Sequence, residues 1–203
     1  MIRITLLVLI NCYVLTGCND DTSSNNIQQD TLSVSIVLAN LPDTITYNKS
    51  TTPDGYVEYK WALTLDMNGD GAINTGDIII QLHHFKSPGS VETTGTINDF
   101  SSGVWLYTTD TQTTSQANVN KTISGNTITF SVAKSQFSPL SDINSATLVY
   151  FETSTYNASI GMSEYDYYPS YRTLTSIPNS NSFTDTLNDA APIIDIQNMS
   201  IEY

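Results

Sequence analysis

Residues 57–85 read VEYKWALTLDMNGDGAINTGDIIIQLHHF, and this stretch decides the fold class. Apolar or aromatic residues alternate with other residues from 57 to 65, which is the period of a β-strand with one face on a core. Three consecutive isoleucines begin at residue 78, and β-branched side chains favour a strand over a helix. We therefore expect a strand over 78–86, so that residues 66–77 form the tip of a β-hairpin; a helix over 78–86 is the alternative. The first strand would place five side chains on one face: Val57, Tyr59, Trp61, Leu63 and Leu65.

The same alternation recurs along the rest of the chain. Residues 119–123 and 127–132 flank the sequence Ser-Gly-Asn, which predicts a hairpin with a short turn. Near Asn198 the apolar phase slips by one residue, which predicts a β-bulge. Short strands separated by frequent turns are typical of an antiparallel β-sandwich, jelly-roll or immunoglobulin-like, and we expect one such domain over 31–203. Further strands are predicted over 32–38, 104–108, 146–152 and 193–203.

The first thirty residues have the composition of a processing segment and a tether. Arg3 precedes an apolar stretch over 4–14, which is short for a membrane-spanning helix. The following Leu15-Thr16-Gly17-Cys18 resembles the bacterial lipobox, which implies a lipoprotein signal peptide over 1–17 and lipidation of Cys18. An ordinary signal peptide or a single membrane anchor is the alternative. Residues 18–30 are polar except for one isoleucine and are predicted to form a flexible tether.

The positions of the two cysteines agree with the interpretation that the protein is exported. Cys12 would leave with the signal peptide, and no cysteine follows Cys18, so the domain can form no disulfide and no thiolate metal site. Asn19, directly after Cys18, resembles the pattern of lipoproteins that are sorted to the outer membrane. We therefore predict a lipid-anchored protein of the bacterial cell envelope, in the outer membrane, with the membrane as its partner through Cys18.

Charge and composition argue against two classes of function. The chain carries 20 acidic and 7 basic residues, and loss of Arg3 with the signal peptide would leave a net charge of −14. Such a surface repels nucleic acid and anionic lipid headgroups. The two histidines, His83 and His84, are adjacent and would point to opposite faces of a strand, so they cannot serve one site. No Gly-x-Ser-x-Gly motif is present. We therefore expect a protein without catalytic activity.

The loop at 66–77 has the spacing of a calcium site. Oxygen-bearing side chains fall at loop positions 1, 3, 5, 9 and 12, and Gly71 occupies position 6, where the chain must turn sharply. Calcium takes six to eight oxygen ligands, and this spacing wraps them around one ion. A turn rich in Asx residues and glycine, without a metal, is the alternative. The predicted ligands are Asp66, Asn68, Asp70, Asn74 and Asp77 through their side chains, and Ala72 through its carbonyl.

Two resemblances extend this interpretation. Asp66, Asn68, Asp70, Gly71 and Asp77 match the dockerin and EF-hand type of calcium loop, although a dockerin carries two such repeats and this chain carries one. A larger part of the chain is similar to DOMON and family 9 carbohydrate-binding β-sandwiches. That resemblance implies a β-sandwich whose Asp-rich loop holds a structural metal, and it makes sugar binding a reasonable expectation. It is carried by Trp61 leading into Thr75-Gly76-Asp77, by Gly125 to Val132, and by Asp185 with Asp189-Ala-Ala-Pro192.

A tyrosine-rich segment between predicted strands is the second candidate site. Four of its tyrosines, Tyr165, Tyr167, Tyr168 and Tyr171, offer flat amphipathic faces that stack on sugar rings or on a protein. The alternative is a long loop that caps the sandwich. Of the tryptophans, Trp61 is expected in the core, whereas Trp105 is ambiguous. We hypothesise a calcium-binding, lipid-anchored module that binds a glycan. The alternative is a protein-assembly or envelope-maintenance lipoprotein that binds another envelope protein and in which calcium is purely structural.

Overall fold

The computed structural model of the 203-residue chain describes residues 30–49, 56–86, 91–157 and 162–203. The predicted signal peptide at 1–17, Cys18 and nearly all of the tether lie outside the described residues. Within the described segments, no helix is both long enough and apolar enough to cross a membrane.

Fourteen β-strands and three short 3₁₀ helices make up the described part of the chain. The 3₁₀ helices are Ile97–Asp99, Lys134–Gln136 and Ser138–Asp142. The strands are β1 (Thr31–Leu38), β2 (Ile45–Lys49), β3 (Tyr56–Asp66), β4 (Ile78–Lys86), β5 (Val91–Gly95), β6 (Ser101–Tyr107), β7 (Thr113–Asn118), β8 (Asn120–Ser124), β9 (Thr127–Ala133), β10 (Leu148–Asn157), β11 (Met162–Tyr168), β12 (Thr175–Ser176), β13 (Ser182–Thr184) and β14 (Ile196–Glu202).

The strands form two main antiparallel sheets that pack face to face. The five-stranded sheet has the order β13-β14-β1-β9-β8, and the seven-stranded sheet has the order β11-β10-β3-β4-β6-β7 with β12 beside β10. Strands β2 and β5 form a separate pair. One hydrophobic cluster joins the inner faces of both main sheets, with members such as Ile36 and Met199 on one side and Leu63 and Phe151 on the other. The predicted all-β antiparallel sandwich is therefore confirmed.

The strands predicted from alternation are present. Residues 78–86 form a strand and not a helix, and β3 pairs with β4 so that residues 66–77 form the tip of their hairpin. The hairpin of β8 and β9 turns through Gly125, which has the left-handed φ of 54° that this turn requires. The register between β1 and β14 shifts beside Asn198, which is the predicted bulge.

The structure corrects three details of these predictions. A β-bulge between Val57 and Tyr59 breaks the alternation of β3. Val57 therefore does not face the core; with Lys60 it lines a cavity on the outer face of the sheet. The tyrosine-rich segment is an edge strand, β11, as far as Tyr168, and only Tyr171 lies in the turn that follows. A further strand that the sequence did not predict, β13, pairs with β14, so β14 lies inside its sheet between β1 and β13.

Candidate functional site

The loop at 66–77 is held by hydrogen bonds from its own backbone to its acidic side chains. Asp66 accepts hydrogen bonds from the amides of Gly69 at 2.7 Å and Gly71 at 2.9 Å, one on each carboxylate oxygen. Asp70 accepts one from the amide of Ala72 at 2.9 Å. Gly69 and Gly71 have φ angles of 72° and 80°, a region that favours glycine. The sharp turn predicted at Gly71 is therefore present.

Asp77 closes the loop from its far end. Its side chain is fully buried, and its two oxygens accept hydrogen bonds from the amides of Met67 at 3.0 Å and Asn74 at 2.8 Å. Asn74 in turn donates to Asp70 at 2.7 Å and accepts from Asn68 at 3.0 Å. The six predicted ligands thus lie on one closed loop whose carboxylates point toward its own backbone.

Two of the carboxylates in the loop have shifted pKa values. Hydrogen bonds from Asn74 and from the amide of Ala72 lower the pKa of Asp70. Burial raises the pKa of Asp77, and the nearby charges of Asp66 and Asp70 raise it further. Each carboxylate oxygen of these three residues accepts one hydrogen bond and has a second lone pair left, which is the capacity that a cation would use. In the structure, the carboxylates of Asp66, Asp70 and Asp77 do not bring one oxygen each within 4.8 Å of the other two. Among the described residues, another group of three aspartates does so.

Beside this loop, the outer face of the seven-stranded sheet carries a groove of about 520 Å³. Tyr165 and Tyr167 stand next to each other on β11, with ring centres 5.6 Å apart and planes 10° apart. Tyr150 from β10 stacks behind Tyr167 at 5.9 Å, and Tyr171 meets Tyr167 edge-on at 5.1 Å. The groove is lined by Ile73, Tyr107, Asp110, Thr111, Tyr150, Glu152, Tyr165, Tyr167, Tyr171 and Arg172.

Polar groups of both signs lie among these rings. Glu152 on β10 forms an ion pair of 2.7 Å with Lys60 on the neighbouring strand β3. Asp110, in the turn between β6 and β7, is exposed at the rim. A second cavity of about 250 Å³ on the same outer face contains Lys60 and shares Tyr107 with the first. The groove therefore combines flat aromatic faces with hydrogen-bonding groups.

The loop and the groove are directly connected. The amide of Gly76 donates to the carbonyl of Tyr107 at 3.0 Å, and the amide of Tyr107 donates to the carbonyl of Asp77 at 2.9 Å. The Arg172 guanidinium donates to the carbonyl of Ile73 at 3.3 Å. Because Tyr107, Ile73 and Arg172 all line the groove, the conformation of the loop sets part of its wall.

The four predicted tyrosines separate into two groups. Tyr165, Tyr167 and Tyr171 line the groove, and their predicted role in ligand binding stays a prediction. Tyr168 does not, because successive side chains of β11 point to opposite faces, and its ring contacts Phe183 of the other sheet at 5.6 Å. In the structure Tyr168 therefore packs within the sandwich and lies apart from the groove.

The histidines and tryptophans lie largely as expected. His84 stacks on Phe100 at 4.6 Å, whereas His83 contacts Trp105 at 5.0 Å, so the two histidines face opposite sides of β4. Trp61 is fully buried in the core and donates from Nε1 to the carbonyl of Ile193 at 3.1 Å. Trp105, ambiguous from the sequence, is half-buried.

Several lining residues were not identified from the sequence. Tyr107, Tyr150 and Glu152 lie on strands that were predicted, and the outward phase of those strands could have indicated them. Arg172 and Asp110 gave no such signal, because both lie in turns. Comparison with protein-family models, with curated proteins and with solved structures finds no match to this chain. The site must therefore be interpreted from its own chemistry.

Proposed function

We propose that this protein is a non-catalytic, calcium-binding β-sandwich that is lipid-anchored in the bacterial cell envelope and binds carbohydrate in the tyrosine groove. The observation that carries the proposal is the pair Tyr165 and Tyr167, whose rings are nearly parallel, with Tyr165 exposed and Tyr167 half-buried in the groove that Glu152 also lines. The C–H faces of a sugar ring pack on aromatic planes, and its hydroxyls pair with carboxylates and guanidinium groups. A pocket lined by aromatic side chains with a few polar groups is also the usual form of a small-ligand site.

Calcium has a supporting role in this proposal. The loop at 66–77 supplies six oxygen-bearing groups at the expected spacing, and it holds the carbonyl of Ile73 and the backbone of Tyr107 at the groove. An ion that stiffens the loop would therefore stiffen the groove wall. The lipid anchor rests on Leu15 to Cys18, which match the lipobox, and on the polar tether that follows.

The groove is tested by retention of the full-length protein on a panel of immobilised polysaccharides in millimolar calcium. Tyr165 is 47% exposed and Tyr171 is 66% exposed, so replacing either with alanine removes a stacking face at little expense in folding stability. We expect Tyr165→Ala and Tyr171→Ala each to weaken retention about fivefold, since one lost stacking contact amounts to about 1 kcal/mol.

The matched control is Tyr168→Ala on the same strand. It removes a tyrosine that packs toward Phe183, so it should lower the melting temperature and keep retention below that temperature. Unchanged retention in both Tyr165→Ala and Tyr171→Ala would contradict the proposal. Retention on no glycan at all, together with co-purification of a stoichiometric envelope protein, would favour the protein-assembly alternative.

A further inference from the structure

Three aspartates outside the loop and the groove come together where the two sheets meet. Asp166 lies on β11, Asp189 lies in the segment between β13 and β14, and Asp195 directly precedes β14. Each offers a carboxylate oxygen, and these oxygens all lie within 4.8 Å of one another. Oxygens that bind one calcium ion at 2.3–2.6 Å are separated by at most about 5 Å, so this spacing fits a shared ion.

One oxygen of the group is buried without a partner. Asp195 is 0% exposed, and its Oδ2 accepts a hydrogen bond from the Gln197 side chain at 2.7 Å. Its Oδ1 is also buried and has no partner at hydrogen-bonding distance and angle; burial raises the pKa of this carboxyl, while the Gln197 side chain and the Ala190 amide act to lower it. A buried carboxylate oxygen without a donor costs about 1–3 kcal/mol or more, which is why such groups are rare in native proteins. A bound cation would supply the missing partner.

The negative charge of the group is also uncompensated. Among the described residues, no lysine, arginine or histidine forms an ion pair with Asp166, Asp189 or Asp195, and Asp185 adds a fourth carboxylate nearby. Burial and the charges of Asp185 and Asp189 raise the pKa of Asp166 to about 6, although hydrogen bonds from the amides of Ile196 and Tyr167 act to lower it. Buried charges in proteins are normally paired or bound to metals.

The surrounding bonds show what an ion would connect. Asp166 accepts a hydrogen bond from the amide of Ile196 at 2.6 Å, which links β11 of one sheet to β14 of the other. Thr153 on β10 donates to the carbonyl of Ile194 in the same segment. Carboxylates from both sheets therefore converge on one point, and an ion there would cross-link the sandwich.

We propose that Asp166, Asp189 and Asp195 form a second site for a hard divalent cation, with calcium as the expected ion, at the junction of the two sheets. Oxygen-only ligands select calcium or magnesium, and ligands drawn from three separate segments suit the larger and less exacting calcium shell. This site shares no residue with the loop at 66–77 and does not depend on the function proposed above.

The test is equilibrium dialysis of the full-length protein against radioactive calcium in a background of Asp70→Ala, which disables the loop and alters only an exposed side chain. We expect this background to bind about one calcium per chain. Asp189→Asn should weaken that binding at least tenfold, and Asp195→Asn should abolish it. Asp142→Asn, at an exposed carboxylate on a 3₁₀ helix outside the group, is the matched control and should bind as the background does.

Asp189 is exposed, so its variant carries the test even where Asp195→Asn fails to fold. The proposal is overturned when the background binds no calcium, or when Asp189→Asn binds it as tightly as Asp142→Asn does. Failure of the loop site alone gives a different result. The protein without the Asp70 substitution would then bind one calcium, and only substitution of the Asp166–Asp189–Asp195 group would remove it.

Discussion

Single buried ionisable residues tie the stability of this protein to pH. His83 is 7% exposed between Phe85 and Trp105, and its Nδ1 is buried without a hydrogen-bond partner. Burial above all, together with the positive charge of Lys60, lowers the pKa of His83 to about 4. The folded protein therefore keeps a neutral imidazole at a pH where the unfolded chain already binds a proton.

We predict that His83 destabilises the fold as pH falls from about 6.5 to about 4. In this window the unfolded chain holds more protons than the folded one, so the free energy of unfolding falls with pH. A shift of this size corresponds to at most about 3 kcal/mol. Chemical denaturation at pH 7.5 and pH 4.5 measures it, with His83→Phe as the comparison. The variant should lose distinctly less stability than the unsubstituted protein; equal losses would contradict the prediction.

At the scale of elements, the β3–β4 hairpin depends on one aspartate more than on the others. The buried carboxylate of Asp77 accepts hydrogen bonds from the amides of Met67 and Asn74, whereas the side chain of Asp70 is exposed. We predict that Asp77→Ala lowers the free energy of unfolding by about 1–3 kcal/mol even in EDTA, because two amides lose their acceptor. Asp70→Ala should change the melting temperature little in EDTA but should reduce the rise that calcium produces.

Thermal melts of both variants, with EDTA and with millimolar calcium, check this division of roles. A large loss of stability for Asp70→Ala in EDTA would show that the loop needs that carboxylate for folding itself. A calcium-dependent rise in Asp70→Ala as large as in the unsubstituted protein would remove the loop from the calcium-binding part of the proposal.

The elements that could be predicted from the sequence are those whose alternation reflects burial on one face. In strand β1 burial alternates residue by residue, and the four residues on the inner face, Leu32, Val34, Ile36 and Leu38, are all buried, while Val37 on the other face is half-buried. Strand β7 reads Thr-Thr-Ser-Gln-Ala-Asn and is almost wholly exposed, so it is held by backbone pairing with β6 and not by burial. Its sequence therefore shows no alternation of apolar and polar residues from which a strand could be predicted. Likewise, the loop at 66–77 is local and was found from spacing. The Asp166, Asp189 and Asp195 group depends on contacts between distant segments and could not be found that way.

At the scale of the whole molecule, the sandwich is built on pairings between distant parts of the chain. Strand β1 pairs with β14 on one edge and with β9 on the other, so residues at 31–38 lie beside residues at 196–202. Three residues of β14, namely Ile196, Met199 and Ile201, are fully buried in the core. Burying three such side chains contributes about 5–9 kcal/mol, which is comparable to the whole stability of an ordinary domain.

We therefore predict that a chain ending at Asp195, which lacks β14, does not fold cooperatively. Near-ultraviolet circular dichroism and thermal melting measure this, and the truncated protein should show neither fixed aromatic packing nor a sharp transition. Removal of Tyr203 alone, which lies beyond the end of β14, is the control and should leave the transition in place. A cooperative melt of the chain ending at Asp195 would show that β1 and β9 suffice to cover the core.

The position of β1 beside β14 also has a consequence in time. A ribosome adds about 5–20 residues per second, so on the order of 10–30 s pass between the synthesis of β1 and that of β14. Throughout this interval the edge of β1 that later pairs with β14 has no partner strand, although the apolar residues of β1 have already been synthesised. One of the first strands to be synthesised is therefore among the last to be enclosed, and an unpaired strand edge of this kind promotes aggregation.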